Sequence, residues 1–348
     1  MKRFLFTFVM GSIIFTACKK DARLGNESLS SDQASGAVTA IVDTVTLPQI
    51  ISSNRTLFAD TLYQLDGKVY VTGGTLEIKP GTHIEGLYKS TPDQSSALII
   101  TKTGKIRSMG QQSNPVIFSS SLSDLPGGRT TRNVGDWGGV VILGNAPTNK
   151  PTTQFIEGIN PASVPAGVDV TYGGTNTAHD GGIVTFTRIE FAGAAIAANN
   201  ELNSLTLGGV GNKTSLRFIQ ASKGADDAFE FFGGTVNATY LIANSQNDDA
   251  FDFDFGYTGF VQFGLSVRGT SFTYADANGI ECDNENPSSG STPTTRPTLS
   301  NLTILGNGTS ALTGTLNGAR FRRGTDLRFR NSDRKSTRLN SSHANISY

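Results

Sequence analysis

Apolar and polar residues alternate in short runs along most of this chain, and one run occurs twice. Residues 226–231 read Asp-Asp-Ala-Phe-Glu-Phe, and residues 248–253, which begin 22 positions later, read Asp-Asp-Ala-Phe-Asp-Phe. In a β-strand, the two Phe side chains of each copy point to one face and the acid between them points to the other. Self-similarity at a period of roughly 20 to 30 residues is typical of solenoids, whose units bury their apolar faces by stacking. The pattern therefore predicts one short strand at the same place in successive coils.

Further strand-like runs occur on both sides of this repeat. They include Val69–Val71, Leu76–Ile78, Ala97–Ile100, Val116–Phe118 and Val140–Leu143. Three pairs of residues are offset by 24 positions, namely Leu205 and Phe229, Leu207 and Phe231, and Leu216 and Tyr240. The pattern predicts an all-β fold, a parallel β-helix with coils of about 22–24 residues.

Two segments interrupt the strand pattern. Residues from Asn145 to about Gly182 are rich in Pro, Thr, Gly and Asn, and residues 284–297 are rich in Ser, Thr and Pro. The first segment is long enough to leave the solenoid and form a wall beside it.

Several blocks resemble those of a known family. They are Gly135–Gly144, Arg188–Gly193, Asp226–Gly234 and Asp248–Gly256. They are similar to blocks of bacterial envelope proteins of the Bacteroidetes type that contain a pectate-lyase-like, right-handed parallel β-helix. The resemblance covers about residues 60–332, and it implies a fold and an envelope location more firmly than a reaction.

The N-terminal residues resemble a bacterial lipoprotein signal. A charged start, Met1-Lys2-Arg3, precedes an apolar stretch that ends in Thr16-Ala17-Cys18. We expect a signal peptide over residues 1–17, lipidation of Cys18, a polar tether over residues 18–45 and an outer-membrane lipoprotein. The following Lys19-Lys20-Asp21 resembles a surface-export signal, and the alternative is an ordinary secretory signal.

The C-terminal residues resemble a sequence of a different origin. Residues 333–348 look like the in-frame translation of a short-read sequencing adapter, so we exclude them from the fold prediction. The predicted β-helix domain then covers residues 46–332 and is truncated at its C-terminal end.

Composition excludes several functional classes. Without residues 1–17 and 333–348, the chain has 24 basic and 28 acidic residues, which gives no basic footprint for nucleic acid. With Cys18 lipidated, Cys282 has no partner for an intrachain disulfide. His83 and His179 are the remaining histidines, too few for a histidine zinc site or a serine-histidine triad. We expect a monomer that is stabilised by stacking of its coils.

The repeats predict a ladder of charged side chains on the outside of the helix. One column contains Glu230, Asp252, Glu281 and Arg320, and the next outward column contains Phe232, Asp254, Asp283 and Arg322. Neighbouring coils lie about 4.8 Å apart, and residues on the same face of one strand lie about 6.8 Å apart. A compact square of solvent-facing carboxylates is therefore expected from Asp252, Asp254, Glu281 and Asp283.

Three interpretations of this ladder remain open. The four carboxylates could bind Ca²⁺, which prefers several oxygen ligands. Two of them could instead act as acid and base on a glycan, although the Gly-His-Gly that accompanies paired aspartates in polygalacturonase-type β-helices is missing. In the third interpretation, the outward acids pair with Arg320 and Arg322, and four inner aspartates cap turns. These four are Asp226, Asp227, Asp248 and Asp249.

Other conspicuous residues are expected in the core. Cys282 aligns with Phe231 and Phe253 and should point inward, as should the whole Phe column. Trp137 is expected to be a packing anchor near a turn.

The sequence thus favours a surface lipoprotein that binds or presents extracellular polysaccharide, with Ca²⁺ as a candidate cofactor. The alternative is a polysaccharide lyase or glycoside hydrolase that uses Asp252, Asp254, Glu281 and Asp283. A second alternative is a structural or adhesive envelope protein without a small ligand. The step from fold to polysaccharide is an analogy with other β-helices.

Overall fold

The computed structural model describes residues 40–123, 134–197, 200–269, 277–284, 290–306, 317–335 and 345–346. The predicted signal peptide, Cys18 and most of the tether lie outside these residues, so those predictions stay open. No helix among the described residues is long and apolar enough to cross a membrane.

Almost all regular structure consists of strands, arranged in two long sheets. The larger sheet contains β1 (Asp43–Thr46), β3 (Arg55–Leu57), β4 (Thr61–Leu65), β6 (Thr75–Ile78), β7 (His83–Gly86), β9 (Lys105–Met109), β10 (Val116–Ser120), β12 (Gly182–Glu190), β16 (Ser215–Ser222), β18 (Asn237–Asn244), β20 (Phe260–Val267), β22 (Thr298–Leu305), β24 (Arg328–Arg330) and β25 (Asp333–Lys335). The smaller sheet contains β2 (Ile50–Ile51), β5 (Lys68–Val71), β8 (Ala97–Ile100), β11 (Gly139–Leu143), β15 (Leu205–Gly208), β17 (Phe229–Phe232), β19 (Phe251–Asp254), β21 (Glu281–Cys282), β23 (Arg320–Phe321) and β26 (Asn345–Ile346). A hairpin joins β13 (Ala195–Ala197) and β14 (Asn200–Glu201), and two short 3₁₀ helices span Pro92–Gln94 and Pro161–Ser163.

Every pairing within the two long sheets is parallel, which confirms the predicted parallel β-helix. Leu205 pairs with Phe229 and Phe229 pairs with Phe251, offsets of 24 and 22 residues. Other coils are longer: Val140 pairs with Leu205, 65 residues later, because inserted segments leave the helix between them. One predicted equivalence is wrong, since Leu216 pairs with Ala238 and not with Tyr240.

The larger sheet bends sharply and forms two faces of the solenoid. β12 pairs with β9 through residues 182–185 and with β10 through residues 187–189, so its two halves belong to different faces. The residue between the halves, Phe186, has a φ of 45°. The same left-handed conformation occurs in the middle of each later long strand up to β22. With the smaller sheet, the solenoid therefore has three faces.

The interior is filled by the apolar column that the sequence predicts. The rings of Phe229 and Phe251 stack with centroids 5.7 Å apart, and those of Phe231 and Phe253 with centroids 4.9 Å apart. Cys282 follows Phe253 in register and is fully buried, as expected. Burial of each such side chain contributes about 1.5–3 kcal/mol to the hydrophobic stabilisation.

Trp137 is also a packing residue, as predicted. Its side chain is fully buried, and its Nε1 donates a hydrogen bond to the Glu190 carbonyl oxygen at 2.8 Å. It stacks with Phe118 at a centroid distance of 6.4 Å.

The outer surface of the smaller sheet has a core of its own. Residues 145–181, here called the covering segment, place Ile156 and Tyr172 against the outward side chains of Val141 and Phe232. Gly208 lies beneath them, and a Cβ atom there would come within 2.9 Å of Tyr172 Cγ. The predicted wall is thus present, and it lies flat on the sheet.

Part of the excluded C-terminal segment also lies on the solenoid. β25 pairs with β22, and β26 pairs with β23. These pairings do not bear on where the segment came from, and the adapter interpretation stays a prediction.

Candidate functional site

The predicted register of the charged ladder is confirmed. Glu230 pairs with Asp252, Asp252 with Glu281, and Glu281 with Arg320. In the next outward column Phe232 pairs with Asp254, and the Asp283 N–H donates to the Phe253 carbonyl oxygen at 2.9 Å. The insertion before Glu281 therefore does not shift the register.

The prediction that the four acids face solvent is wrong for Glu281 and Asp283, and Asp252 and Asp254 are only partly exposed. Glu281 and Asp283 have exposed fractions of 6% and 3%, and Asp252 and Asp254 are half-buried. Arg322 and Arg323 lie against Glu281 and Asp283 on the outer face of the sheet, and the covering segment reaches the same region. The segment extends as far as the last acids, because Asn149 Nδ2 donates to the Asn284 carbonyl oxygen at 3.1 Å.

Arginines neutralise two of the four predicted acids. Arg322 pairs with Glu281 and also with Asp283, whose Oδ2 lies 3.1 Å from its Nη2. Arg320 Nη1 lies 3.5 Å from Glu281 Oε2, and Arg323 pairs with Asp283. The interpretation that outward acids pair with the C-terminal arginines is confirmed for this half of the square.

The other two acids, Asp252 and Asp254, each have one carboxylate oxygen without a partner among the described residues. The Oδ1 atoms of Asp252 and Asp254 are buried and accept no hydrogen bond within the described part of the chain. Burial, and then the negative charge of Glu281, raises the pKa of Asp254 to about 7, against the opposing effect of Arg322. Burial, and then Asp254, raises the pKa of Asp252 well above its usual range.

The inner aspartates form a ladder of turn caps. Asp227 Oδ1 accepts the Asp249 N–H at 2.7 Å, and Asp249 Oδ1 accepts the Asn278 N–H one coil later. Asn203 Oδ1 begins the ladder by accepting the Asp227 N–H at 3.2 Å. The predicted capping role is confirmed for Asp227 and Asp249, because each satisfies a buried N–H of the next coil.

Carboxylates also converge around β17 and the turns before β17 and β19, outside the square that the sequence predicted. Among the described residues, two groups of three have ligand oxygens that all lie within 4.8 Å of one another. These groups are Asp226, Asp227 and Asp248, and Asp227, Glu230 and Asp252. Only Asp252 belongs both to one of these groups and to the predicted square, so the geometry favours a different set of metal ligands.

A second candidate site lies on the larger sheet, where four aromatic side chains stack. We call these residues the aromatic ladder: Phe186, Phe218, Tyr240 and Phe263. Successive ring centroids are 4.4, 4.5 and 4.8 Å apart, with interplanar angles of 3°, 8° and 13°. Tyr240 has an exposed fraction of 43%. The ladder is therefore a continuous aromatic strip at the protein surface.

The backbone conformation of these residues explains their position at the surface and carries a cost in conformational free energy. All four occupy the bend of a long strand with φ between 45° and 61°. This region costs about 1–2 kcal/mol for most side chains, and Asn tolerates it better. Asn301 occupies the same bend one coil later with a φ of 58°. Because a cheaper residue fits, repeated aromatic residues at the bend point to a use beyond bending the chain.

The aromatic ladder forms one wall of a groove of about 820 Å³. A second row of outward side chains runs parallel to the aromatic ladder and is here called the facing row. Each of its members lies two residues after the bend residue of its strand. Its members are Arg188, Gln220, Ile242, Leu265 and Thr303. Gln111, Gln112 and Asn301 add amide groups to the lining. The only charged side chain that lines the groove in the described residues is Arg188, and it pairs with Glu190.

Sequence reasoning missed this groove. The usable signal is an aromatic residue once per coil, at Phe218, Tyr240 and Phe263, which are 22 and 23 positions apart. Matching Tyr240 to Leu216 placed it in the wrong column and hid the ladder.

The comparisons with known proteins agree with the architecture. The family model described as a pectate-lyase-like β-helix domain matches residues 49–339. Neither the search of curated proteins nor the search of solved structures found a match. Because the family match covers most of the chain and the strands form a parallel solenoid, the chain belongs to the pectate-lyase-like β-helix domain family.

Proposed function

We propose that this protein binds an extended, neutral polysaccharide in the groove beside the aromatic ladder. The observation that carries this proposal is the exposed stack of four aromatic rings along the helix axis. The family description supports a polysaccharide as the kind of ligand, by analogy of fold. The groove runs along several coils, which suits a polymer better than a compact molecule.

The lining supplies the two kinds of contact that a sugar chain needs. Ring edges and the free faces of the end rings form an apolar strip against which sugar C–H groups can pack. Gln220 and Thr303 on the facing row, and Asn301 at one end, offer amide and hydroxyl groups for sugar hydroxyls. Mostly apolar walls with a few polar groups are typical of ligand sites.

The charge of the groove argues for a neutral polymer. An acidic chain such as pectate needs cations along its path, whether arginines or bound Ca²⁺. Here Arg188 is the one charged lining residue among those described. The carboxylate of Glu190, whose side chain is 10% exposed, forms an ion pair with Arg188 and offsets its charge. We therefore expect weak binding of uronic acid polymers.

Binding is favoured over cleavage by the state of the acids. The four predicted catalytic candidates, Asp252, Asp254, Glu281 and Asp283, lie on or directly beside the smaller sheet, on a different face from the groove. Glu281 and Asp283 are held by arginines, which opposes a role as acid or base.

The test is a binding panel with the full-length chain. Affinity electrophoresis or microarrays would compare neutral polymers, such as xyloglucan, glucomannan and dextran, with polygalacturonate and alginate in EDTA. We expect retention by at least one neutral polymer and none by the acidic ones. Retention by the acidic polymers alone, or a panel without any retention, would contradict the proposal.

We also propose that Cys18 anchors the protein in the outer membrane, with its surface toward the cell exterior. The signal-like sequence around Cys18 supports this proposal. Expression of wild type and Cys18→Ala in a Gram-negative host tests it: the variant should move from the membrane fraction to the soluble envelope fraction. Surface proteolysis of intact cells would then separate outward from inward orientation.

A further inference from the structure

We propose that a hard divalent cation of the Ca²⁺ type binds beneath the covering segment, between Asp227, Glu230 and Asp252. These three residues are called the acid centre below. This site lies on the smaller sheet and does not depend on the proposed polysaccharide groove. It also differs from the solvent-facing square that the sequence predicted, since a buried ion here cannot touch a polymer.

The geometry of the acid centre fits such an ion. Glu230 and Asp252 are register neighbours on β17 and β19, and Asp227 comes from the turn before β17. One oxygen from each of the three lies within 4.8 Å of the other two. An ion equidistant from three oxygens at that separation is at most about 2.8 Å from each, close to the 2.3–2.6 Å of Ca²⁺ ligands.

An independent observation on the covering segment points to the same place. Tyr172 has an exposed fraction of 1%, and its hydroxyl group has no hydrogen-bond partner among the described residues. The carboxyl groups of Glu230 and Asp254 are its electrostatic neighbours and raise its pKa further after burial. A buried hydroxyl group without a hydrogen-bond partner is energetically unfavourable. A water molecule bound to the ion would satisfy it.

Carboxylate atoms at the acid centre also lack partners. Among the residues that the structure describes, Asp252 Oδ1 is buried and accepts no hydrogen bond, and the same is true of Asp254 Oδ1, two residues further along β19. Asp252 and Asp254 both point outward from β19, and Asp254 is also an electrostatic neighbour of Tyr172. A bound cation and its water ligands would supply the partners that these oxygens and the Tyr172 hydroxyl group lack.

The local arginines do not neutralise the acid centre. Arg322 and Arg323 bind Glu281 and Asp283, while Arg268 donates to the carbonyl oxygens of Gln246 and others nearby. Within the part of the chain that the structure describes, no lysine or arginine forms an ion pair with the three centre residues. Three carboxylates this close together, largely shielded from water and without a cationic side chain, cannot all stay charged without a large cost in free energy. They must share protons or hold a cation.

The first test measures the effect of Ca²⁺ on stability. The full-length chain is melted at pH 7.5 in EDTA and in about 1 mM CaCl₂, beside Asp252→Asn and a matched surface variant, Asp60→Asn. We expect wild type and Asp60→Asn to gain several degrees with Ca²⁺ and Asp252→Asn to gain none. Equal melting temperatures in EDTA and Ca²⁺ for wild type would assign the neutralisation to protons and overturn the proposal.

A second readout keeps the proposal testable if Asp252→Asn folds poorly. Tb³⁺ in place of Ca²⁺ should show emission sensitised by the nearby Tyr172 ring, and excess Ca²⁺ should quench it by competition. Tyr172→Phe, which keeps the packing, should lower that emission. Emission that survives in Tyr172→Phe at full strength, or that Ca²⁺ does not displace, would place the ion elsewhere and contradict the site.

Discussion

Single residues at the bends of the long strands decide what the surface of this protein presents. The left-handed residue inserts one position between two inward side chains, so Leu216 and Ile219 are both buried with Phe218 between them at the surface. This spacing of three breaks the alternation from which strands are predicted. The Phe column on β17 and β19 has no bend and follows the alternation, which is why the sequence predicts the core correctly and misses the aromatic ladder.

The turn ladder gives the first prediction at this scale. Asp227→Ala removes the acceptor of the buried Asp249 N–H and should lower the free energy of unfolding by about 1–3 kcal/mol. Asp227→Asn keeps an oxygen at the same place, so in EDTA it should cost far less. Chemical denaturation of both variants in EDTA checks this, and equal losses would contradict the capping role.

A buried acid far from both candidate sites gives the second prediction. Burial raises the pKa of Glu85, against the opposing hydrogen bond from Gln64. Because the folded state holds the proton more tightly than the unfolded state, the free energy of unfolding falls as pH rises above the unfolded pKa and levels off above the folded pKa. The free energy of unfolding of Glu85→Gln should fall less than that of wild type between pH 4 and pH 7. An unchanged pH profile of denaturation midpoints would show that Glu85 does not contribute.

Among the larger elements, the covering segment determines what the smaller sheet can do. The outward columns of that sheet change along the helix from apolar, at Val141, to acidic, at Glu230 and Asp252, and then to basic, at Arg320. The sequence shows the apolar part as an unbroken run at residues 140–143, which is typical of a strand buried on both faces. The sequence predicts a wall, but not which face the wall covers, because the 37 loop-like residues of the covering segment have no periodicity to set their register.

The cover should be separable from the solenoid in stability. Ile156→Ala removes a side chain that is 1% exposed and should weaken packing of the segment by about 2–4 kcal/mol. Phe155, the neighbouring residue, is 37% exposed, so Phe155→Ala is the matched control and should change the stability of the segment little. Hydrogen exchange should speed up over residues 145–181 in the first variant, with the amides of β17 unchanged. Equal acceleration throughout the chain would mean that cover and solenoid unfold together.

At the scale of the whole molecule, the interior, the smaller sheet and the larger sheet differ in the side chains that they contain. The interior supplies stability by stacking, the smaller sheet holds acids beneath a cover, and the bend of the larger sheet exposes a groove with little charge. Coil length, the β-helix family and the strand register of the smaller sheet follow from the sequence, since stacking requires each coil to repeat. The partition of functions among the faces does not, because it depends on where long insertions return to the surface.

The most direct measurement of the central claim compares ring-deleted variants for polysaccharide binding. Asn fits the left-handed bend, as Asn301 demonstrates, so Phe218→Asn and Tyr240→Asn remove rings while they keep the backbone. Tyr88→Asn, which removes an exposed tyrosine away from the groove, is the control. Isothermal titration would use the neutral polymer that binds best in the panel. We predict at least a tenfold, or about 1.4 kcal/mol, loss of affinity for each ladder variant and wild-type affinity for Tyr88→Asn. Wild-type affinity in Phe218→Asn and Tyr240→Asn, with both variants folded, would contradict the account.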